Sequence, residues 1–182
     1  MENQAEAMQP EMIPAMPPTN VVADIPRVSI QAFCETQPTA NAMQSAMGDR
    51  RFSKAHVDIQ LGGAAAATQW FTEAATPNVL IVETRASADM LLAELGQLAG
   101  VCDGSTKVIV IGHVNDVHLY RTIMDQGVSD YLVAPITELQ LISSVSGLYS
   151  APDAAPVGRV CAFIGSKGGV GSSTLAHNVA WA

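Results

Sequence analysis

Short apolar runs alternate along the chain with longer segments in which apolar residues recur at helical spacing. The runs of strand length are residues 28–33, 57–61, 79–82, 108–111 and 131–133. The candidate helices between and after them are residues 39–47, 64–75, 88–99, 117–126 and 138–149. The runs 79–82 and 108–111 are apolar at every position, which is typical of parallel strands covered on both faces. The pattern therefore predicts an α/β fold with a parallel sheet.

The two ends of the chain do not follow this pattern. Residues 1–26 are rich in proline and methionine and contain no lysine or arginine, so we expect a disordered tail. Residues 151–158 contain two prolines and no regular period, which indicates a linker after a first domain at 27–150. Residues 159–164 are predicted as a sixth strand and 173–182 as the start of a helix. Because one strand and part of a helix cannot bury their own apolar faces, most of 151–182 is expected to be mobile.

The charge of the chain narrows the possible partners. Its 17 acidic residues against 9 basic ones give a net charge of -8, which disfavours nucleic acid and anionic lipid as partners. The one local basic cluster, Arg50, Arg51 and Lys54, is interpreted as a solvated loop. There is no apolar run of about 20 residues and no signal peptide, so we expect a cytoplasmic protein without membrane insertion. The three cysteines are too scattered for a disulfide framework or a zinc site: Cys34, Cys102 and Cys161.

The segment Gly-Val-Ser-Asp-Tyr-Leu-Val-Ala-Pro at 127–135, with the order of elements over 27–150, resembles a response-regulator receiver domain. The resemblance implies a flavodoxin-like, CheY-like doubly wound sheet of strand order 2-1-3-4-5, with its site at the carboxyl ends of the strands. In receivers, an aspartate after the third strand accepts a phosphoryl group from a histidine kinase. Acidic residues after the first strand hold magnesium, and a lysine after the fifth strand neutralises the phosphate.

This sequence departs from the receiver pattern at each of those positions. The acceptor position holds Glu83, the lysine position holds Ala134, and Glu35 is the only acid near the end of the first strand. A lone carboxylate is a poor magnesium site, and a longer acceptor side chain misplaces the attacking oxygen. We interpret the domain as a pseudo-receiver that is not phosphorylated, and Glu83 as a solvated loop carboxylate without a role. The alternative is a phosphorylatable receiver that controls an ATPase.

A glycine-rich loop follows the linker, between the candidate sixth strand and the last helix. Such a loop can direct backbone N–H groups at a phosphate. The segment resembles the deviant Walker A motif of ParA/MinD-type ATPases, although a turn that only joins a strand to a helix is the simpler alternative. By the resemblance, Lys167 reaches the phosphates of a partner in a nucleotide-sandwich dimer, and Ser173 ligates magnesium. The candidate nucleotide-binding positions are Lys167, Gly168, Gly169, Gly171, Ser172, Ser173 and Thr174.

Ser172 stands where that motif has a second lysine, and the loss of this cation should weaken nucleotide binding. The chain stops at Ala182, before the remaining parts of a nucleotide site. We therefore expect no cofactor, no metal and no catalysis in this chain. ATP and magnesium are expected for a longer full-length protein, which would be a weak or atypical ATPase. A working nucleotide hydrolase is a third hypothesis, which this truncation disfavours.

A degenerate receiver, a linker and the tract 167–181 together resemble the CpaE/TadZ family of the Tad (Flp) type IV pilus machinery. The resemblance implies that the receiver-like half targets the protein to a cell pole at the inner membrane. The ATPase half would dimerise and recruit pilus components. The expected partners are thus a second copy of the chain and polar and pilus-assembly proteins, with no nucleic acid.

The receiver resemblance also points to the face formed by residues 117–149 as a dimer or partner surface. This segment has more apolar residues than one covering layer needs, so some are expected to be exposed: Leu119, Tyr120, Ile123, Leu139, Ile142, Val145 and Leu148. The four histidines fall in separate elements with no paired carboxylate or cysteine nearby in sequence, and no metal or catalytic role is predicted for them: His56, His113, His118 and His177.

Overall fold

A single parallel sheet organises the folded part of the chain, and its central strand is buried along its whole length. The computed structural model describes Val22, residues 24–150 and residues 162–181. Five strands lie in the order β2-β1-β3-β4-β5, with all neighbours parallel. They are β1 (Ser29–Cys34), β2 (His56–Leu61), β3 (Val79–Thr84), β4 (Lys107–Gly112) and β5 (Asp130–Val133). The predicted doubly wound fold and its strand order are confirmed.

Helices cover both faces of this sheet. They are α1 (Gln37–Met47), α2 (Gly63–Trp70), α3 (Ala88–Val101), α4 (Val117–Asp125) and α5 (Glu138–Ser150), followed by α6 (Ser172–Trp181) outside the sheet domain. Buried residues of α1 and α5 share one apolar cluster, and those of α2, α3 and α4 share the other. The side chains of β3 alternate between them, with Val79 and Ile81 in the first cluster and Leu80 and Val82 in the second. Strand pleating thus explains why β3 is apolar at successive positions.

A glycine near the end of β4 allows a close side-chain approach that shapes the neighbouring loop. A Cβ at Gly112 would overlap the ring of Tyr131 on β5, so only glycine fits there. The Tyr131 hydroxyl donates a 2.7 Å hydrogen bond to the carbonyl oxygen of Val114, in the loop between β4 and α4. Tyr131 on β5 therefore also positions the loop between β4 and α4.

The core includes a residue that precedes residue 27, where the sequence pattern begins. Ile25 has no exposed surface, and its N–H donates to the carbonyl oxygen of Arg51 at 3.0 Å. Asp24 lies 3.9 Å from Lys54 in an exposed ion pair. The predicted tail is therefore too long at its carboxyl end, because Ile25 belongs to the core beneath α1 and α5. Residues 1–21 and 23 lie outside the described residues.

The segment after the sheet domain differs from the prediction in one element. Residues 162–164 are not a strand, and Ile164 is 91% exposed. No neighbouring strand pairs with them in the part of the chain described, and a lone strand has no partner for its backbone groups. The predicted last helix is present as α6, none of whose residues is buried. The linker 151–158 and residues 159–161 lie outside the described residues, and the mobility of 151–182 stays a prediction.

Two smaller features complete the fold. α2 ends at Trp70 instead of residue 75, because the chain turns there and Phe71 enters the core while Trp70 stays on the surface. Among the helices described, none is long and apolar enough to cross a bilayer.

Candidate functional site

The candidate site lies at the edge of the sheet where all five parallel strands end. Glu83 is the penultimate residue of β3 and lies on the same face as Ile81, towards α1. Its side chain has no exposed surface. The prediction of a solvated loop carboxylate is therefore wrong, because β3 continues through Thr84 and places Glu83 inside the protein.

Five donors surround the Glu83 carboxylate. The Oε2 atom accepts hydrogen bonds from the backbone N–H groups of Glu35 and Thr36, both at 2.8 Å. The Oε1 atom accepts from the hydroxyls of Thr36 and Thr39, again at 2.8 Å. The Nε2 atom of His113 lies 3.1 Å from Oε1. Because an ionised carboxylate can only accept, His113 must carry its proton on Nε2 in this contact.

These donors come mainly from the start of α1. Thr36 is the N-cap residue of α1, and its hydroxyl also accepts from the Thr39 N–H at 3.4 Å. A helix N-terminus presents unpaired N–H groups and a partial positive charge, both of which favour a carboxylate. The buried charge of Glu83 is therefore compensated by the helix that covers it.

The hydrogen bonds determine the charge state of this carboxylate. Burial raises the pKa of Glu83. The hydrogen bonds from Thr36, Thr39 and His113 together lower it by more than burial raises it, so the pKa of Glu83 lies below its ordinary value. Glu83 is thus ionised at neutral pH. Burial and this negative charge together raise the pKa of the neighbouring Cys34 thiol to about 12, so Cys34 does not supply a thiolate nucleophile.

The two other positions compared with receivers, Ala134 and Glu35, lie at the same edge of the sheet. Ala134 follows β5, is half-buried and packs on the core, and it brings no cation to the edge. Glu35 accepts the N–H of Arg85 at 3.1 Å through Oε2. Its side chain lies against Gly63, whose φ of 60° and lack of a Cβ make room for it. In the part of the chain described, no three metal-ligating side chains form a group.

Sequence reasoning missed the role of His113, because its carboxylate partner is thirty positions away in the chain. The usable signal was topological. Strands β3 and β4 are neighbours, and Thr84 lies opposite Gly112, so the residue after β4 must lie close to the end of β3. The other three histidines lie in separate elements, as predicted.

The predicted nucleotide-binding residues fall into a loop and the first turn of a helix. Lys167, Gly168, Gly169 and Gly171 lie in the loop, and Ser172, Ser173 and Thr174 begin α6. Gly169 and Gly171 have φ values of 79° and 81°, a conformation that favours glycine. This loop geometry is compatible with a phosphate-binding turn and equally with a simple connection, so nucleotide binding stays a prediction.

The predicted partner face is mostly internal. Leu119, Ile123, Ile142 and Val145 are buried, and Leu148 is half-buried against the core. Only two of the predicted side chains are exposed, Tyr120 and Leu139.

The chain is similar to a number of solved structures, and three of them are described below. Against the pilus assembly protein CpaE from Caulobacter crescentus CB15, it is 44% identical over 70% of this chain and 97% of that chain, with a TM-score of 0.68. The CpaE2 pilus assembly protein from Sinorhizobium meliloti 1021 is 40% identical to it, and the match covers 65% of this chain and 97% of that chain with a TM-score of 0.63. A LuxR-family two-component response regulator from Aurantimonas sp. SI85-9A1 is 11% identical, and the match covers 66% of this chain and 84% of that chain. Its TM-score of 0.53 supports the fold alone. No family model and no curated protein matches the chain.

Together the fold and the site define a receiver-like domain in which a buried glutamate occupies the acceptor position. The match to the Caulobacter structure, at 44% identity, covers 97% of that chain. The protein belongs to the CpaE family of pilus assembly proteins, as the resemblance of the sequence predicted.

The Glu83 network predicts a specific acid dependence of stability. Since the folded-state pKa lies below the ordinary value of 4.5, the stabilisation is complete above pH 4.5 and is lost as the pH falls through the folded pKa. We expect Glu83→Gln to lower the free energy of unfolding at pH 7 by about 3 kcal/mol. The variant should also lose less stability than the wild type below pH 4.5. Urea denaturation across this pH range measures both effects.

Glu73→Gln is the matched control, because Glu73 is exposed on the turn after α2. It should keep the wild-type stability and the wild-type acid dependence. Equal acid dependence in the wild type and in Glu83→Gln would contradict the ionised, hydrogen-bonded state of Glu83.

Proposed function

We propose that this chain is a non-catalytic, receiver-like module of pilus assembly that localises a ParA/MinD-like ATPase to the cell pole through protein contacts. The pilus assembly role is supported by the 40–44% identity to CpaE proteins. The observation that carries the non-catalytic part is the buried Glu83 carboxylate, whose two oxygens already accept hydrogen bonds from α1 and its preceding loop.

Phosphorylation of this carboxylate would need a free oxygen with in-line access to the phosphoryl donor. Each oxygen of Glu83 accepts at least two hydrogen bonds, and the side chain has no exposed surface. An acyl phosphate on either oxygen would also weaken that oxygen as an acceptor for its own donors, at a cost of about 1–3 kcal/mol for each hydrogen bond lost. Ala134 adds no cation for the phosphate. The site is thus used for structure, and the domain acts by binding.

The nucleotide chemistry would belong to the longer protein. There, ATP would bind the glycine-rich loop, Lys167 would contact the phosphates, and Ser173 would ligate magnesium. The replacement of the second lysine by Ser172 removes one positive charge, and a weak or atypical ATPase follows from that loss.

A homodimer is part of this proposal. The exposed side chains of Tyr120 and Leu139 support a contact through the α4, β5 and α5 face, since each exposes more than a third of its surface. A two-fold contact there would place the two linkers near each other and raise the effective concentration of the following ATPase halves. Such a gain would offset the weaker nucleotide contact at Ser172.

The proposal predicts that acetyl phosphate with magnesium does not modify the chain. The physical reason is the occupied Glu83 carboxylate and the missing cation at Ala134. Intact-mass spectrometry measures the result, with an active receiver treated in parallel as the positive control. A stoichiometric gain of one phosphate that Glu83→Ala abolishes would support the phosphorylatable receiver instead.

A fluorescent fusion of the chain, expressed in its own bacterium, tests the localising role. We expect a focus at a cell pole that persists in Lys167→Ala, because the receiver-like half supplies the contact with the polar partner. Diffuse fluorescence of the wild-type fusion would contradict the proposal. Loss of the focus in Lys167→Ala alone would assign localisation to the ATPase half.

A further inference from the structure

A cavity of about 420 Å³ opens at the edge of the sheet where the strands begin, opposite the edge that carries Glu83. It lies between the C-terminal half of α3 and the segment that joins α4 to β5. Its apolar lining includes Leu95, Leu98 and Val128, each of which is at most 8% exposed. Small-molecule sites have volumes of about 300–1,000 Å³ and a mainly apolar lining. The cavity is therefore large enough for a small organic molecule.

Glycines keep this cavity open. Gly96 in α3, Gly104 before β4 and Gly127 after α4 all line it. No neighbouring side chain is packed within 4 Å of the position that a Cβ would take at any of the three. Gly127 also has a φ of 90°, a conformation that favours glycine. The open space thus depends on the residue type at these positions, and larger side chains there would fill it.

Two helices end at the cavity. Cys102 follows the last residue of α3, Gln126 follows the last residue of α4, and both line the cavity. The last carbonyl groups of a helix lack intrahelical donors and together carry about half a negative charge. A basic side chain in the last turn commonly offsets this charge, but neither α3 nor α4 has one. The two helix ends therefore favour a cation in the cavity.

The charged side chain at the cavity is also negative. Asp103 accepts the N–H and the hydroxyl of Ser105 at 2.8 and 2.7 Å, and these hydrogen bonds lower its pKa. Asp103 is thus ionised at neutral pH, and among the described residues it is the one charged residue that lines the cavity. Lys107 is close in sequence, but strand pleating directs its side chain to the opposite face of the sheet from Val108, which lines the cavity.

We propose that this cavity binds a small organic cation with an aliphatic body, such as an alkylammonium ion. The aliphatic part would contact the apolar lining, and the ammonium group would lie at the two helix ends beside Asp103. An ammonium group can donate to three acceptors, which suits free carbonyl oxygens. A carboxylate on the same alkyl chain would be repelled by the same groups. The cavity does not include Glu83, Tyr120 or Leu139, so this inference is independent of the proposed function and compatible with the proposed homodimer.

Two glycines of α3 provide a matched pair of variants. Gly96 lines the cavity, whereas Gly100 lies about one turn later and is not part of the lining. Both are exposed, with open space at the Cβ position. Leucine is a better helix former than glycine, so Gly96→Leu and Gly100→Leu should both fold at least as stably as the wild type. Urea midpoints check this. Only the leucine at position 96 would enter the cavity.

The test titrates the whole chain with hexylammonium chloride and follows the amide chemical shifts by NMR. Sodium heptanoate, which has the same alkyl chain, and neutral 1-hexanol are titrated in parallel. We expect hexylammonium to shift the amides of Gly96, Gly104 and Gly127 saturably and to bind at least about threefold more tightly than either alternative. Gly96→Leu should raise its Kd about tenfold, while Gly100→Leu leaves it within about twofold.

Three results would overturn the proposal. The first is the absence of a saturable shift at the three glycines, even if hexylammonium shifts amides elsewhere on the acidic surface. The second is binding of heptanoate or hexanol as tight as that of hexylammonium. The third is an equal effect of the two leucine variants on the Kd.

Discussion

The Glu83 carboxylate is the interaction on which the rest of this domain depends. It lies in the interior at the end of the central strand and joins three other parts of the chain: the loop after β1, the first turn of α1 and the loop after β4. A buried charge without partners would cost several kcal/mol, so the fold requires donors at this point. The N-terminus of α1 supplies most of them, and α1 is thereby positioned over the sheet.

The same arrangement is the basis for proposing that this receiver-like domain does not carry out receiver chemistry. The carboxylate that would accept a phosphoryl group already binds the protein itself, and the cation position is an alanine. The hydrogen bonds of Glu83 at this edge of the sheet are thus satisfied within the protein, and the proposed function assigns contacts with other molecules to the surface. The identity to CpaE proteins connects this receiver-like domain with pilus assembly.

Local patterns predicted most of the fold, and long-range contacts account for what they missed. The all-apolar runs in β3 and β4 were sufficient to indicate buried parallel strands, and the segment 127–135 supplied the receiver resemblance and the strand order. The burial of Glu83 could not be predicted, because an acid after an apolar run is typical of a strand end and its donors come from another element. The burial of Ile25 was missed because a single apolar residue in a proline-rich segment gives no periodic pattern. The segment 159–164 has the composition of a strand, but its described residues, 162–164, have no neighbouring strand to pair with in the described part of the chain.

The most direct test of this account is the titration of the Glu83 side chain in the whole chain, followed by the ¹³C chemical shift of its carboxyl carbon. The account predicts a pKa below 4.5, with the amide protons of Glu35 and Thr36 shifting in the same pH range as their acceptor is protonated. A pKa at or above 4.5, with the two amide shifts independent of it, would contradict the central claim that a hydrogen-bonded carboxylate organises this edge of the sheet.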